Sequence, residues 1–151
     1  SNCADREATW INKSIKSTYN TLHDLGYAHS IEVWEDKKLK GGLYGVAIGK
    51  VFFAESMFST SSNGSKLALI ALMVTLALNE FSLLDVQFMT DHLRTMGAKE
   101  ISRALFLNLI KKSTSEKVQF NKPSSLIIDE MLINKAEMKS LISISKLKHQ
   151  I

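Results

Sequence analysis

The run Leu83-Leu84-Asp85-Val86-Gln87-Phe88-Met89 sets a carboxylate and an amide two residues apart inside an otherwise apolar segment. As a strand of period two, it presents Asp85 and Gln87 on one face, about 7 Å apart, with Leu84, Val86 and Phe88 on the other. Buried polar groups need partners. The pair therefore reads either as an apparatus that orients and deprotonates an amine nucleophile or as a satisfied structural pair at a sheet end. Glu55 repeats the pattern as the one charge in Val51-Phe52-Phe53-Ala54-Glu55-Ser56-Met57. By itself it is a surface carboxylate or a functional one. Together with Asp85 it suggests an anionic pocket for a cationic group, in which mutual repulsion raises one carboxyl pKa until the cation arrives.

Other candidates are weaker. The loop Ser61-Ser62-Asn63-Gly64-Ser65 precedes a helical run whose N-terminus, with Lys66, could bind a phosphate, but it is not a Walker motif and Ser65 reads more simply as an ordinary N-cap. His23, His29, His92 and His149 have no metal-ligand spacing, and no Ser-His-Asp or Cys-His order stands out. Thr90-Asp91-His92 reads as a helix cap. Trp10 and Tyr19 are able to stack on a base, although packing against a core is the commoner fate of such residues.

The elements that must carry these groups follow from periodicity. Ile11, Ile15, Tyr19, Leu22 and Leu25 mark one face of a helix over residues 5–25, closed by Gly26. From His29 the period becomes two, predicting a first strand. A turn at Asp36-Lys37-Lys38, a strand over 39–48, a turn at Gly49-Lys50 and a strand over 51–57 complete an antiparallel meander. Residues 66–80 are apolar nearly all round and predict a buried helix. A strand over 83–89, a short helix over 91–96 ending at Gly97, and a helix over 100–112 with Ile101, Leu105, Phe106, Leu109 and Ile110 inward follow. After Pro123, residues 126–147 have helical spacing. The expected class is α/β (α+β), a mixed and mainly antiparallel sheet flanked by helices.

Composition bounds the function. A chain of 151 residues, 45% hydrophobic and 23% charged, with seven Gly and one Pro, can bury a real core and is neither collagen-like nor disordered. The lone Cys3 excludes an internal disulfide and fits a reducing compartment. The longest apolar run, 67–78, falls short of the ~18 residues of a membrane span, and no signal peptide is expected. Ser1-Asn2 in place of an initiator Met reads as an expression remnant before an internal start, so a fragment of a longer cytoplasmic protein is expected. The net charge of +4 is spread evenly, with 14 basic against 12 acidic residues in 1–121 and 5 against 3 in 122–151, without a dense basic stripe for nucleic acid.

Five ordered segments carry a likeness: HSIEVWED (29–36), GGLYGVAIG (41–49), FFAESMFS (52–59), LLDVQ (83–87) and HLRTMGAKEISRALFLNLI (92–110). Together they closely resemble the bacterial leucyl/phenylalanyl-tRNA–protein transferases, over residues 3–120, with E-S-M-F-S and D-x-Q the sharpest motifs. The resemblance implies a GNAT-like domain over 3–122 and a divergent, helical tail over 123–151, without the family's smaller N-terminal domain. It implies transfer of a leucyl or phenylalanyl group from tRNA to the N-terminal α-amine of a protein beginning with Arg or Lys, marking it for N-degron degradation, with no metal and no cofactor. Residue by residue it implies Asp85 and Gln87 as the catalytic pair, Glu55 and Asp85 at the acceptor, Leu43, Phe52, Met57, Leu69, Leu72 and Leu84 around the donor side chain, and Trp10 and Tyr19 near the aminoacyl-adenosine. One geometric condition follows: Phe52 and Met57 point to opposite faces of a regular strand, so a bulge between them is predicted. Two competing functions are an acetyl-coenzyme A-dependent acetyltransferase, disfavoured because SSNGSK offers a single Gly for a pyrophosphate loop, and an inactive tRNA-binding fragment.

Overall fold

Helix α1 (Lys13–Asp24) ends by a Schellman motif. Gly26 adopts φ +80°, its N–H donates to the His23 carbonyl at 2.9 Å, and the Tyr27 N–H donates to the Leu22 carbonyl at 2.8 Å. The structure, a computed structural model, describes residues 13–121 and 143–145. Strands β1 (Ala28–Glu35) and β2 (Lys38–Ile48) are joined by Asp36 and Lys37, both at positive φ, the two-residue turn whose twist matches the flanking strands. β3 (Val51–Ser59) follows after the Gly49-Lys50 turn, and β1, β2 and β3 form the predicted antiparallel meander.

Helix α2 (Gly64–Leu78) is buried along Ala68, Leu69, Leu72, Met73 and Leu76 and covers one face of the sheet. It begins one residue after Asn63, at φ 68°, rather than at Ser65; the Ser65 N–H is instead taken by Ser59 Oγ at 3.2 Å. Gly64 lies so close to the Lys40 backbone that a Cβ there would stand 2.3 Å from its carbonyl oxygen. The Ser65 N–H at this helix start is thus occupied by the protein's own Ser59 hydroxyl.

β4 (Leu83–Asp85) pairs in parallel with β3, and β5 (Ser143–Ser145) pairs in parallel with β4, giving a sheet in the order β1-β2-β3-β4-β5. Helices α3 (Asp91–Thr95), capped by Thr90 as expected, and α4 (Arg103–Thr114), capped by Ser102, lie between them in sequence. On the face opposite α2, Phe106 of α4 packs with Val51 and Leu83. Tyr19 of α1 meets Tyr44 on that same face, since Tyr44 alternates with the core residue Leu43. The architecture is thus α+β, a mixed sheet with α2 on one side and α1 and α4 on the other.

Three expectations need correction. The strand over 83–89 stops at Asp85, where the chain bends away. Leu25 and Leu105, read as inward, are 65% and 47% exposed, because α1 ends before Leu25 and α4 turns Phe106 rather than Leu105 to the sheet. The helical reading of 126–147 fails at residues 143–145, which are a strand; its other residues lie outside the described ones.

Candidate active site

The predicted bulge is present. Tyr44 pairs with Ser56 and Gly45 with Ala54, so Glu55 is the extra residue of β3 with no partner on β2. The insertion returns Met57 to the face of Phe52, and both pack against the same core cluster. Glu55 remains on the face of α1 and α4, where its charge acts on Tyr19, Tyr44 and Asp85.

β3 and β4 pair over just three positions, Val51 with Leu83, Phe52 with Leu84 and Phe53 with Asp85. Beyond them β3 runs on through Ser59 while the other chain turns off, leaving a notch between diverging strands. A tight turn follows β4. The Phe88 N–H donates to the Val86 carbonyl at 2.6 Å across Gln87, which holds φ +61°. A γ-turn of this hand is rare and strained, and strain of this kind gathers at functional sites. The Gln87 N–H donates to Asp85 Oδ1 at 2.9 Å, tying the carboxylate to the turn. The expected pairing of Asp85 and Gln87 side chains along one strand face is therefore replaced by a bond from the Gln87 backbone.

Asp85 is 6% exposed. Burial pushes its pKa above the ordinary carboxylate range, the Gln87 N–H pulls it back, and the Glu55 charge raises it again. Tyr19 is pushed up to about 12 by burial, then by the Glu55 charge, its hydrogen bond to Glu55 and Tyr44. Tyr44 is raised by burial first and Glu55 second. Both tyrosines are neutral hydrogen-bond donors at neutral pH. Their rings meet edge to face at 5.0 Å and 79°, beside a cavity of about 240 Å³ lined also by Asn20, His23, His29 and Ser30. The Tyr44 hydroxyl is buried and has no hydrogen-bond partner, a condition that typically costs ~1–3 kcal/mol. Tyr44 was not singled out from sequence; its position across the ladder from the bulge was the available signal.

Of the expected apolar wall, Leu43, Phe52, Leu69, Leu72 and Leu84 are 0–3% exposed and packed into one core cluster, with Met57 at its partly exposed margin. These six lie together, but as packed core rather than as the lining of an open slot. Neither the cavity beside Tyr19 nor a larger one of about 750 Å³ between Tyr27, Ile48 and Phe120 is lined by Glu55 or Asp85. Trp10 lies outside the described residues. Among the described residues, no group of three or more His, Cys, Asp or Glu is placed to hold a metal, and no helix is long and apolar enough to cross a membrane.

Residues 1–111 match the family model described as leucyl/phenylalanyl-tRNA protein transferase. The chain belongs to this family. The leucyl/phenylalanyl-tRNA–protein transferase of Zymomonas mobilis is 56% identical over 111 residues, which is 74% of this chain and 41% of that protein. That of Dinoroseobacter shibae is 53% identical over 115 residues, 76% of this chain and 52% of the relative. That of Roseobacter denitrificans is 49% identical over 121 residues, 80% and 58% respectively. The chain spans about half the length of these curated relatives. The stretch matched to the family contains Glu55, Asp85, Gln87 and the bulge, whereas β5 lies beyond it.

Proposed function

We propose that the protein carrying this chain acts in the cytoplasm, moving a leucyl or phenylalanyl group from its tRNA ester to the N-terminal α-amine of proteins that begin with Arg or Lys. The product carries a new peptide bond and an N-terminus that marks it for degradation. The observation that carries this reading is that Glu55 and Asp85 lie on one sheet face where β3 and β4 part, near enough for the Glu55 charge to act on Asp85, in a chain of this family.

The chemistry asks little beyond placement. An aminoacyl ester is already activated, so proximity and a neutral amine dominate the barrier. An α-amine has a pKa near 8 and is partly protonated at neutral pH. Asp85, held by the Gln87 N–H through Oδ1, keeps its other oxygen for that amine, and burial makes it the more willing base. The amine nitrogen attacks the ester carbonyl carbon, its proton passes to Asp85, and collapse of the tetrahedral species breaks the ester C–O bond and releases the tRNA ribose oxygen, which takes that proton back from Asp85. Glu55 supplies the negative charge for the acceptor's cationic side chain. Leu43, Phe52, Leu69, Leu72 and Leu84 form the apolar wall behind Met57, and the donor side chain enters at Met57, where the core reaches solvent. Tyr19 is the described residue on which the aminoacyl-adenosine would rest.

The test supplies the full-length protein with labelled leucyl-tRNA and a peptide beginning with Arg. Label on the peptide supports the reading. Acylation that depends on acetyl-coenzyme A alone overturns it.

A further inference from the structure

We propose that Tyr44 is a positioning residue for acceptor recognition, its hydroxyl steadying the Glu55 carboxylate when a cationic side chain docks there. The inference rests on the acceptor role of Glu55 given above and adds the residue that fixes its aim. Glu55 is the inserted residue of a bulge, so no cross-strand neighbour on β2 sets its direction. Its carboxylate must be steered from the side. The Tyr19 hydroxyl stands on one side of it, close enough to interact with its charge. Tyr44 stands at the bulge itself, opposite Ser56, with its ring against the Tyr19 ring at 5.0 Å.

The Tyr44 hydroxyl is the informative atom. It is buried without a partner, and an unmet buried donor destabilises a fold. A Phe in its place would keep the edge-to-face contact with Tyr19 and lose no hydrogen bond present here. The hydroxyl therefore finds its use in another state of the protein. Glu55 is the charged acceptor that acts on it, and a carboxylate drawn toward a bound guanidinium or ammonium group needs a second donor to hold its rear oxygen.

The experiment measures transfer from labelled leucyl-tRNA by the full-length protein and its Tyr44→Phe variant. Two peptides are compared, one beginning with Arg and one with citrulline, which keeps the shape and drops the charge. The preference for Arg over citrulline in kcat/KM is expected to fall roughly tenfold in Tyr44→Phe, the size of one hydrogen bond to a charged group. The loss appears in KM for the Arg peptide, KM for the tRNA is unchanged, and the thermal midpoint is unchanged or raised. A retained preference overturns the inference, whether or not stability falls, and so does an equal fall in kcat for both peptides. Wild-type transfer to both peptides at the same rate overturns the charge role of Glu55, and that of Tyr44 with it, but leaves the transferase reading standing. No transfer by the wild type overturns both.

Discussion

Asp85 sits where two demands oppose each other: the fold would prefer it neutral, and the proposed reaction needs it ionised. Its folded-state pKa is raised, chiefly by burial. The native state then binds the proton more tightly than the unfolded chain, so this contribution to stability is complete below the ordinary carboxylate pKa. It is lost as pH rises through the raised one. Asp85→Asn removes the ionisation while its Oδ1 still accepts the Gln87 N–H. At neutral pH the variant is expected to melt a few degrees above the wild type, the gap closing as pH falls below the carboxylate range, while transfer drops by roughly 10²–10⁴-fold. A melting temperature below the wild type at neutral pH would mean that the carboxylate is not penalised by its burial. Met57→Ala is expected to reduce discrimination between leucyl and smaller donors by roughly 1–3 kcal/mol, read as the ratio of kcat/KM values; an unchanged ratio removes Met57 from the donor site. Glu55 and Asp85 stood out in the sequence because an isolated charge in an apolar strand demands an account, while the roles proposed for them come from the family likeness. The Gln87 turn did not: Leu84, Val86 and Phe88 continue an alternating pattern that nothing in residue type interrupts, and the positive φ of Gln87, with the Asp85 bond to its N–H, has no signature in residue type.

Among the elements, the bulge was readable because two residues expected at one wall, Phe52 and Met57, stand an odd number of positions apart, and one inserted residue reconciles them. Edge positions of helices were less readable. Leu25 and Leu105 keep the apolar spacing, but a partly covered helix such as α1 leaves its last apolar residue in water. The fit of α2 against the sheet depends on backbone approach rather than pattern. A Cβ on Gly41 would stand 2.4 Å from the Gly64 carbonyl carbon, where the neighbour is backbone and has no rotamer to yield. Gly41→Ala is expected to pry the start of α2 from β2 and destabilise the fold by roughly 1–3 kcal/mol, measured by denaturant midpoint. Wild-type stability in that variant would show that the crossing is looser than this contact implies.

At the scale of the whole molecule, the carboxylate of Asp85 depends on two distant parts of the chain. β4 is three residues long, with β3 on one side and β5 on the other, and β5 is drawn from residues 143–145, beyond the stretch matched to the family. Sequence reading missed this strand because Ser143-Ile144-Ser145 is too short for period two to outweigh the helical spacing around it, and parallel pairing is a long-range contact without a local signature. Such a short parallel strand is stable when flanked on both sides, since its backbone groups then find partners in both neighbours. A chain ending at residue 121 leaves β4 as the sheet edge. Its β4 amides are expected to exchange hydrogen faster and its melting temperature to fall, with the Asp85 side chain still bonded to the Gln87 N–H but carried on a looser strand. In the full-length protein the same truncation should then lower kcat for transfer more than it raises KM for either substrate, because the displaced group is the base rather than a binding wall. Unchanged exchange at residues 83–85 would mean that β3 alone holds β4 in place, and that the notch owes its shape to the meander and to the Gln87 turn.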